Sequence, residues 1–541
     1  MKLRHNTTLA LAGVAFGALM LNQGVANADT GSEIRALKER LKHLEAQVAA
    51  QKKTQAAAVP MTKKGETPPP VWVSFGNGLK VESFTEGKDG FYARGKDFSF
   101  QIGGRIMVDG GVNAEPVQGQ SGNTRIRRAR LEVVGKAFKH WLYKFQYDFT
   151  STGVQGIRDA YLAFKHPFFA VVPYTDQPIV FMVGNAKEPA GLEELTSSKY
   201  IDFIERSMVG DALTGHRHIG VSAGTHGEQW SAKLGVYSTS PEDAVLVPFA
   251  EFPGRPSAFG LSQATGGGQY IDVAGRLTVA PIMTNEALIH LGGWGRYHKP
   301  NSATGSSTVG GVAGGSDNRV MLLGRNINSE SNVLNTNLLG TPDLSCGPIH
   351  FPAATAPAVA GRCVGAVTSY GAELAMAYGP FSLQGEYMGT HYARNGGALA
   401  VANRVGSGAG ANASGGTSLD FSGFYVYGTW YLTGESRAHA YKVGGLGGAA
   451  FGEIKILNPL NKGGWGAWEL GARYSQLNLN DGGIQGGRQE DITVGLNWYP
   501  VKGIRFMANW VNVVHISAPY NRPFLNGTNP NIFLARAQVA W

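Results

Sequence analysis

The sequence is poor in four things, and each shortage closes off a class of explanation. After the first two dozen residues there is no uninterrupted apolar run near the roughly 20 residues that a spanning helix needs, which excludes membrane helices. Beyond about residue 98 there is no break in composition, so one large domain is more economical than several small ones. No nucleophile elbow, HExxH motif or convincing Ser/His/acid set occurs, so an enzyme is not expected, and no cofactor. Cysteine is nearly missing: Cys346 and Cys363 are the only two. Both lie in a Gly/Ala/Pro/Ser-rich stretch from about 299 to 366, where a loop-closing disulfide competes with a pair of free thiols. Two thiols with His350 between them are too few for a metal centre.

What is present begins with an export signal. Lys2 and Arg4 precede an apolar run from Leu9 to Leu21 and the small-residue site Ala26-Asn27-Ala28, the layout of a cleavable leader over residues 1–28; a signal anchor is the alternative. Removing Lys2 and Arg4 takes the formal charge from +9 to +7, an excess that favours anionic partners, while export argues against nucleic acid. Residues 29–54 carry Ile34, Leu37, Leu41, Leu44 and Val48 at alternating three- and four-residue steps, which reads as a short coiled-coil seam or a solvated amphipathic helix. A linker and pre-barrel segment fills 55–97, and residues 98–541 form the main domain.

That domain is a succession of alternating strands. In FSFQIGGRIMVDGGVN the residues Phe98, Phe100, Ile102, Ile106, Val108 and Val112 share one face, opposite Arg105 and Asp109. RIRRARLEVVGK sets Ala129, Leu131 and Val133 against Arg128, Arg130 and Glu132, and WLYKFQYDFT sets five aromatics against Lys144, Gln146 and Asp148. Aromatics on the oily face with paired charges on the other fit a membrane barrel with a wet lumen better than a soluble sandwich. Pairing hairpins gives about 16 antiparallel strands in an all-β barrel, and the terminal face Phe533, Ala535, Ala537, Val539, Trp541 suits recognition by barrel-assembly machinery. Arg128 and Arg130 then face water. Strict alternation turns Arg127 to the oily face, so it is expected at the rim.

Between Gly184 and His216 lies NAKEPAGLEELTSSKYIDFIERSMVGDALTG, too long and charged for a turn. It is a candidate to fold inward and narrow the pore, the alternative being a loop that stays outside. His216 and His218 are read as lumen or rim residues, with no metal site.

RIRRARLEV with KFQYDF, IRDAYLAF, GLEELTSSKYIDFIERS, YLTGES, WELGARYS and GLNWYPVKG, in this order across the barrel, resemble the phosphate-selective porins O and P. The resemblance implies a homotrimeric 16-stranded barrel in the outer membrane of a Gram-negative bacterium, in contact with lipid and lipopolysaccharide, with an N-terminal periplasmic extension and a basic pore for phosphate-like inorganic anions. By motif, the pore arginines fall on Arg105, Arg127, Arg128 and Arg206, with Lys199 in the TSSK segment. Arg130 and Lys187 extend the expected anion path, and Asp109, Glu132, Asp148 and Asp159 are expected to orient its bases. Where phosphate-specific members have a lysine after the glutamate of GLE, this chain has Glu194, for which Lys187 is expected to compensate. A general diffusion porin and a structural tether are the competing functions.

Overall fold

The computed structural model describes residues 74–75, 99–115, 121–138, 140–151, 156–165, 177–238, 240–241, 271–299, 326–341, 344, 363–397, 399, 416–444, 446, 448–520 and 522–541. The leader, the heptad seam and Cys346 lie outside these. Sixteen long strands follow in chain order: β1 (Ser99–Asn113), β2 (Gly122–Ala137), β3 (Trp141–Asp148), β4 (Ile157–Lys165), β5 (Val180–Lys187), β6 (Arg217–His226), β7 (Trp230–Tyr237) and β8 (Ile271–Met283). The second half comprises β9 (Ala287–Lys299), β10 (Val364–Tyr378), β11 (Phe381–Arg394), β12 (Ser418–Tyr431), β13 (Ala467–Asp481), β14 (Ile484–Tyr499), β15 (Ile504–Ser517) and β16 (Asn531–Ala540).

Each strand pairs antiparallel with the next, and β16 pairs with β1 from Asn113↔Ile532 to Arg105↔Ala540, which closes a 16-stranded barrel. Closure satisfies every sheet edge internally, as hydrocarbon requires. The pleat sends Ile106, Val108, Leu131, Phe145, Leu162, Val183, Leu234 and Leu277 outward and exposed, and Arg105, Asp109, Arg128, Gln146 and Asp159 inward. No helix among the described residues is long and apolar enough to cross a membrane. Near the end that carries the C-terminus, outward aromatics pair across strands: Trp141 with Phe164, Phe381 with Trp430, Trp468 with Trp498, and Trp498 with Phe506. Such a girdle suits the membrane interface.

The last residue is seated against Gly103 and Gly104. The carbonyl of Trp541 accepts from Gly104 N–H at 3.1 Å, and a Cβ on Gly104 would stand 2.4 Å from the Trp541 indole. Beyond that point a two-residue strand, Ser74–Phe75, adds in parallel to β1 at Gln101 and Ile102.

The lumen is filled from both ends. From the end opposite the C-terminus, residues 188–216 between β5 and β6 turn inward, carrying short helices α1 (Leu192–Leu195) and α2 (Met208–Leu213). Phe203, Met208, Val209 and Leu213 of this loop bury against Met388, Tyr425, Tyr427 and Leu477 of the wall. Burying one such side chain is worth about 1.5–3 kcal/mol, so packing helps to draw the loop in. Short turns close the hairpins of this end at 284–286, 379–380 and 500–503, whereas β12 and β13 are joined by the long connection 432–466. That connection also enters the barrel, burying Arg437, Ala438, Tyr441 and Phe451. Apolar residues spaced among glycines give it an inward face that strand periodicity could not reveal.

Candidate functional site

The paired arginines of β2 owe their placement to a bulge. The β1–β2 register runs Met107↔Arg128 and then Val108↔Ile126, which leaves Arg127 as the extra residue. A bulge breaks the two-residue side-chain period. Arg127 therefore does not join the oily face at the rim, as alternation alone predicts. Its Nε donates to Glu205 Oε1 at 2.7 Å and Nη2 to Oε2 at 3.2 Å, on the inward loop. Arg128, its neighbour, is also buried inside, with Glu205 Oε2 at 3.8 Å.

The loop's acids hold it mainly against β9, β13, β16 and the inward connection 432–466. Glu188 meets Arg296 at 2.7 Å and His218 at 2.9 Å; Glu193 meets Arg473 at 3.3 Å; Asp202 meets Arg437 at 2.7 Å; and Glu205 meets Arg536 at 3.2 Å as well as Arg127. Gly191, at φ 76, turns the chain so that Leu192 and Glu193 N–H donate to the Glu386 carboxylate at 2.9 and 2.8 Å. Ser207 caps α2 by accepting from Gly210 N–H at 3.1 Å, and its hydroxyl donates to Glu193. Glu330 reaches in from the connection between β9 and β10, with left-handed backbone (φ 53), and accepts from Arg473, Ser475 and Thr493.

On the other side a cavity of about 210 Å³ remains open between the loop and β1–β7. Arg105, Arg128, Arg130, Lys144, Lys187, Arg206, Arg217 and Lys233 line it, against the single carboxylate of Asp159. Ser197 and Ser198 of the loop also face it and accept from Arg105 Nη1 at 3.2 and 2.8 Å. Among the described residues the Nε atoms of Arg105 and Arg128 have no acceptor. Guanidinium groups buried without full partners are prepared to receive an oxyanion.

The acids named from sequence sit just behind these bases. Asp148 takes Arg130 at 2.7 Å, Asp159 takes Lys144 at 2.8 Å and Arg217 at 2.7 Å, and Glu132 takes Lys199 at 3.0 Å and Lys144 at 3.4 Å. Asp109 stands apart, bound to Arg536 at 2.6 Å. Of the seven bases named from sequence, Arg105, Arg128, Arg130, Lys187 and Arg206 share the cavity, whereas Arg127 is committed to Glu205 and Lys199 lines a second chamber. Lys144, Arg217 and Lys233 were missed as cavity bases; Lys144 and Lys233 stand on the polar side of their strands, whereas Arg217, at the start of β6, shares the alternation of the outward Ile219 and Val221.

Lys187 does not offset Glu194 as a free charge. It is bound to Glu194 Oε1 at 3.0 Å, while Arg206 Nε meets Oε2 at 3.1 Å and donates further to the Glu193 carbonyl. Burial alone would raise the Glu194 carboxyl, but Arg206 and Lys187 outweigh it and hold it down to about 2. Burial lowers the Lys199 ammonium, and the Glu132 carboxylate offsets part of that.

Glu188, His218 and Asp272 approach closely enough for their ligand atoms to surround an ion. The Arg296 guanidinium already bridges the two carboxylates, at 2.7 Å from Glu188 and 2.6 Å from Asp272, and supplies the positive charge of that cluster.

The family model described as "Phosphate-selective porin O and P" matches residues 100–335 and 353–541. The chain belongs to that family. This outer-membrane porin is 24% identical over 424 residues to an uncharacterised protein of Caulobacter vibrioides, covering 76% of this chain and 68% of the relative. It is 24% identical over 446 residues to Porin O of Pseudomonas aeruginosa, covering 77% and 83%. Among solved structures, an anion-selective porin from Comamonas acidovorans aligns over 82% of this porin and all of its own chain, at 11% identity and a TM-score of 0.41, a likeness too loose to add to the fold described above.

Proposed function

We propose that this porin passes small inorganic anions by passive diffusion, through the cavity between the inward loop and strands β1–β7. One observation carries the reading: eight cationic side chains and one carboxylate line that cavity. An entering anion exchanges hydration water for charge-assisted hydrogen bonds from Arg128, Arg130 and Arg105, and several weak stations keep any one from trapping it. The preference for phosphate is modest in this reading, because Glu194 neutralises Lys187 and Arg206 where phosphate-specific relatives add a lysine. Family membership supports a homotrimer, and native mass measurement of the full-length protein is expected to return three chains. We further propose that Cys346 and Cys363 are bridged, which mass mapping without reduction tests; Cys363 is buried beside the start of β10.

The decisive measurement is the reversal potential of single channels in a potassium chloride gradient, followed by phosphate competition. Anion selectivity with shallow phosphate block supports the proposal. Cation selectivity, or absence of current as a tether would give, overturns it.

A further inference from the structure

A second chamber, of about 230 Å³, lies at the C-terminal end beneath the inward loop, on the side of β14–β16. Its chemistry differs from that of the conducting cavity. The cavity carries eight cations and one aromatic, Tyr161, whereas the chamber is lined by Tyr200, Tyr431, Phe451, Tyr499 and Trp541 together with Lys199, Arg437, Lys502 and Arg505. Three of those four cations are matched: Lys199 with Glu132, Arg437 with Asp202, and Lys502 with Glu453 at 3.5 Å.

Arg505 is the exception. It is 2% exposed, and among the described residues it forms no salt bridge. Nη1 donates to the Ile201 carbonyl at 2.6 Å and Nη2 to Gln538 at 3.0 Å, while Nε has no acceptor. A guanidinium has five N–H donors, so most of its capacity for an anion is unused. Its carbon stands 5.7 Å from the Tyr499 ring centre, and Lys199 Nζ lies the same distance from the Tyr200 ring.

We infer that this chamber is a binding site separate from the conducting cavity, and that its ligand is a small organic anion with a flat apolar body, such as an aromatic carboxylate. A hydrated inorganic ion gains little from tyrosine rings, whereas an aryl carboxylate can pair its charge with Arg505 and lay its ring on Tyr499 and Tyr200. The volume suits one such molecule, not a macromolecular segment.

The inference stands apart from the anion-passage reading, since binding is read by calorimetry on the purified full-length protein in detergent, where no current flows. The probes are benzoate and inorganic phosphate. Benzoate is expected to bind the native protein, at least about tenfold more weakly to Arg505→Gln and with intermediate affinity to Arg505→Lys, while phosphate affinity changes less than about twofold. Tyr200→Leu, on the loop, leaves Arg505 in place and is expected to weaken benzoate about fivefold, which keeps the test open if Arg505→Gln misfolds. Arg128→Gln is expected to weaken phosphate and spare benzoate. Benzoate binding unchanged in Arg505→Gln, an equal loss of phosphate in that variant, or no benzoate binding to the native protein would each overturn the site.

Discussion

The inner wall has two halves that use the same residue for opposite ends. Along β8–β16, Arg276, Arg296, Arg473 and Arg536 are each fully buried against Glu373, Glu188 and Asp272, Glu193 and Glu330, or Asp109 and Glu205. These arginines attach the inward loops to the barrel. Along β1–β7 the bases outnumber the acids facing the same space, and a cavity stays open. The cavity therefore stays open along one wall, while most of the loop's acids are bound on the other. Arg296, Arg473 and Arg536 owe their structural role to carboxylates carried by the inward segments, and Arg276 to Glu373 of β10 and the Ala449 carbonyl, a property of the fold and not of the strand.

Breaking the bound half is expected to give the largest effect. Arg473→Met leaves Glu193 and Glu330 buried without their cation, and losing one partner of a buried pair costs about 3–5 kcal/mol. The expected outcome is a lower melting temperature together with larger, noisier single-channel conductance; an unchanged conductance would mean that packing alone holds the loop. Next comes the open half. Arg128→Glu is expected to leave melting unchanged and to move the reversal potential strongly away from the chloride value, because Arg128 has only a distant carboxylate at 3.8 Å.

Glu194 sits between the halves, on the bound loop but facing the open cavity's bases. Replacing it by lysine is expected to increase phosphate block of chloride current about tenfold or more, since a reversed charge in a narrow passage is worth kilocalories. A tight native block left unchanged by the substitution would remove the segment from selection. The pH response is smaller. With the folded carboxyl at about 2 and its ordinary value at 4.5, the stability contributed by the pairing with Arg206 and Lys187 is fully present above about pH 4.5 and is lost as pH falls through about 2. Anion selectivity follows protonation of the folded carboxyl, so it is expected to stay level from neutral pH to about 3 and to rise as pH falls toward about 2, and the rise should be absent in Glu194→Gln. Smallest of all, Lys38→Glu, in the 29–54 segment that precedes the barrel domain in sequence, is expected to leave selectivity unchanged.

Much of the barrel was legible because alternation is a local property. Arg105, Arg128 and Arg130 could be set in the lumen from the spacing of Ile106, Ala129 and Leu131, and the charged length of the segment between Gly184 and His216 made it a candidate to fold inward, with a loop that stays outside as the alternative. Three features were not legible, for physical reasons. The bulge at Arg127 depends on the register with Met107 and Val108, which one strand read alone does not hold. The partnership of Lys187 with Glu194 depends on how the loop folds back on its own base. The inward path of 432–466 depends on docking sites supplied by His290, Gln384 and Tyr427 on distant strands, and no pattern within the segment encodes them.

The bond between Arg437 and Asp202, 2.7 Å long and buried on both sides, joins a loop that enters from one end to a connection that enters from the other. Its two residues lie on opposite sides of strands β6–β12 in the chain. During synthesis and insertion the aspartate exists long before its partner, so contacts of such wide sequence separation form late. The narrow passage is then not an early product of the loop that lines it. It acquires its final shape only when the last quarter of the polypeptide arrives beneath it, and without Arg437 the buried Asp202 carboxylate would lose its cation and keep the Tyr427 hydroxyl.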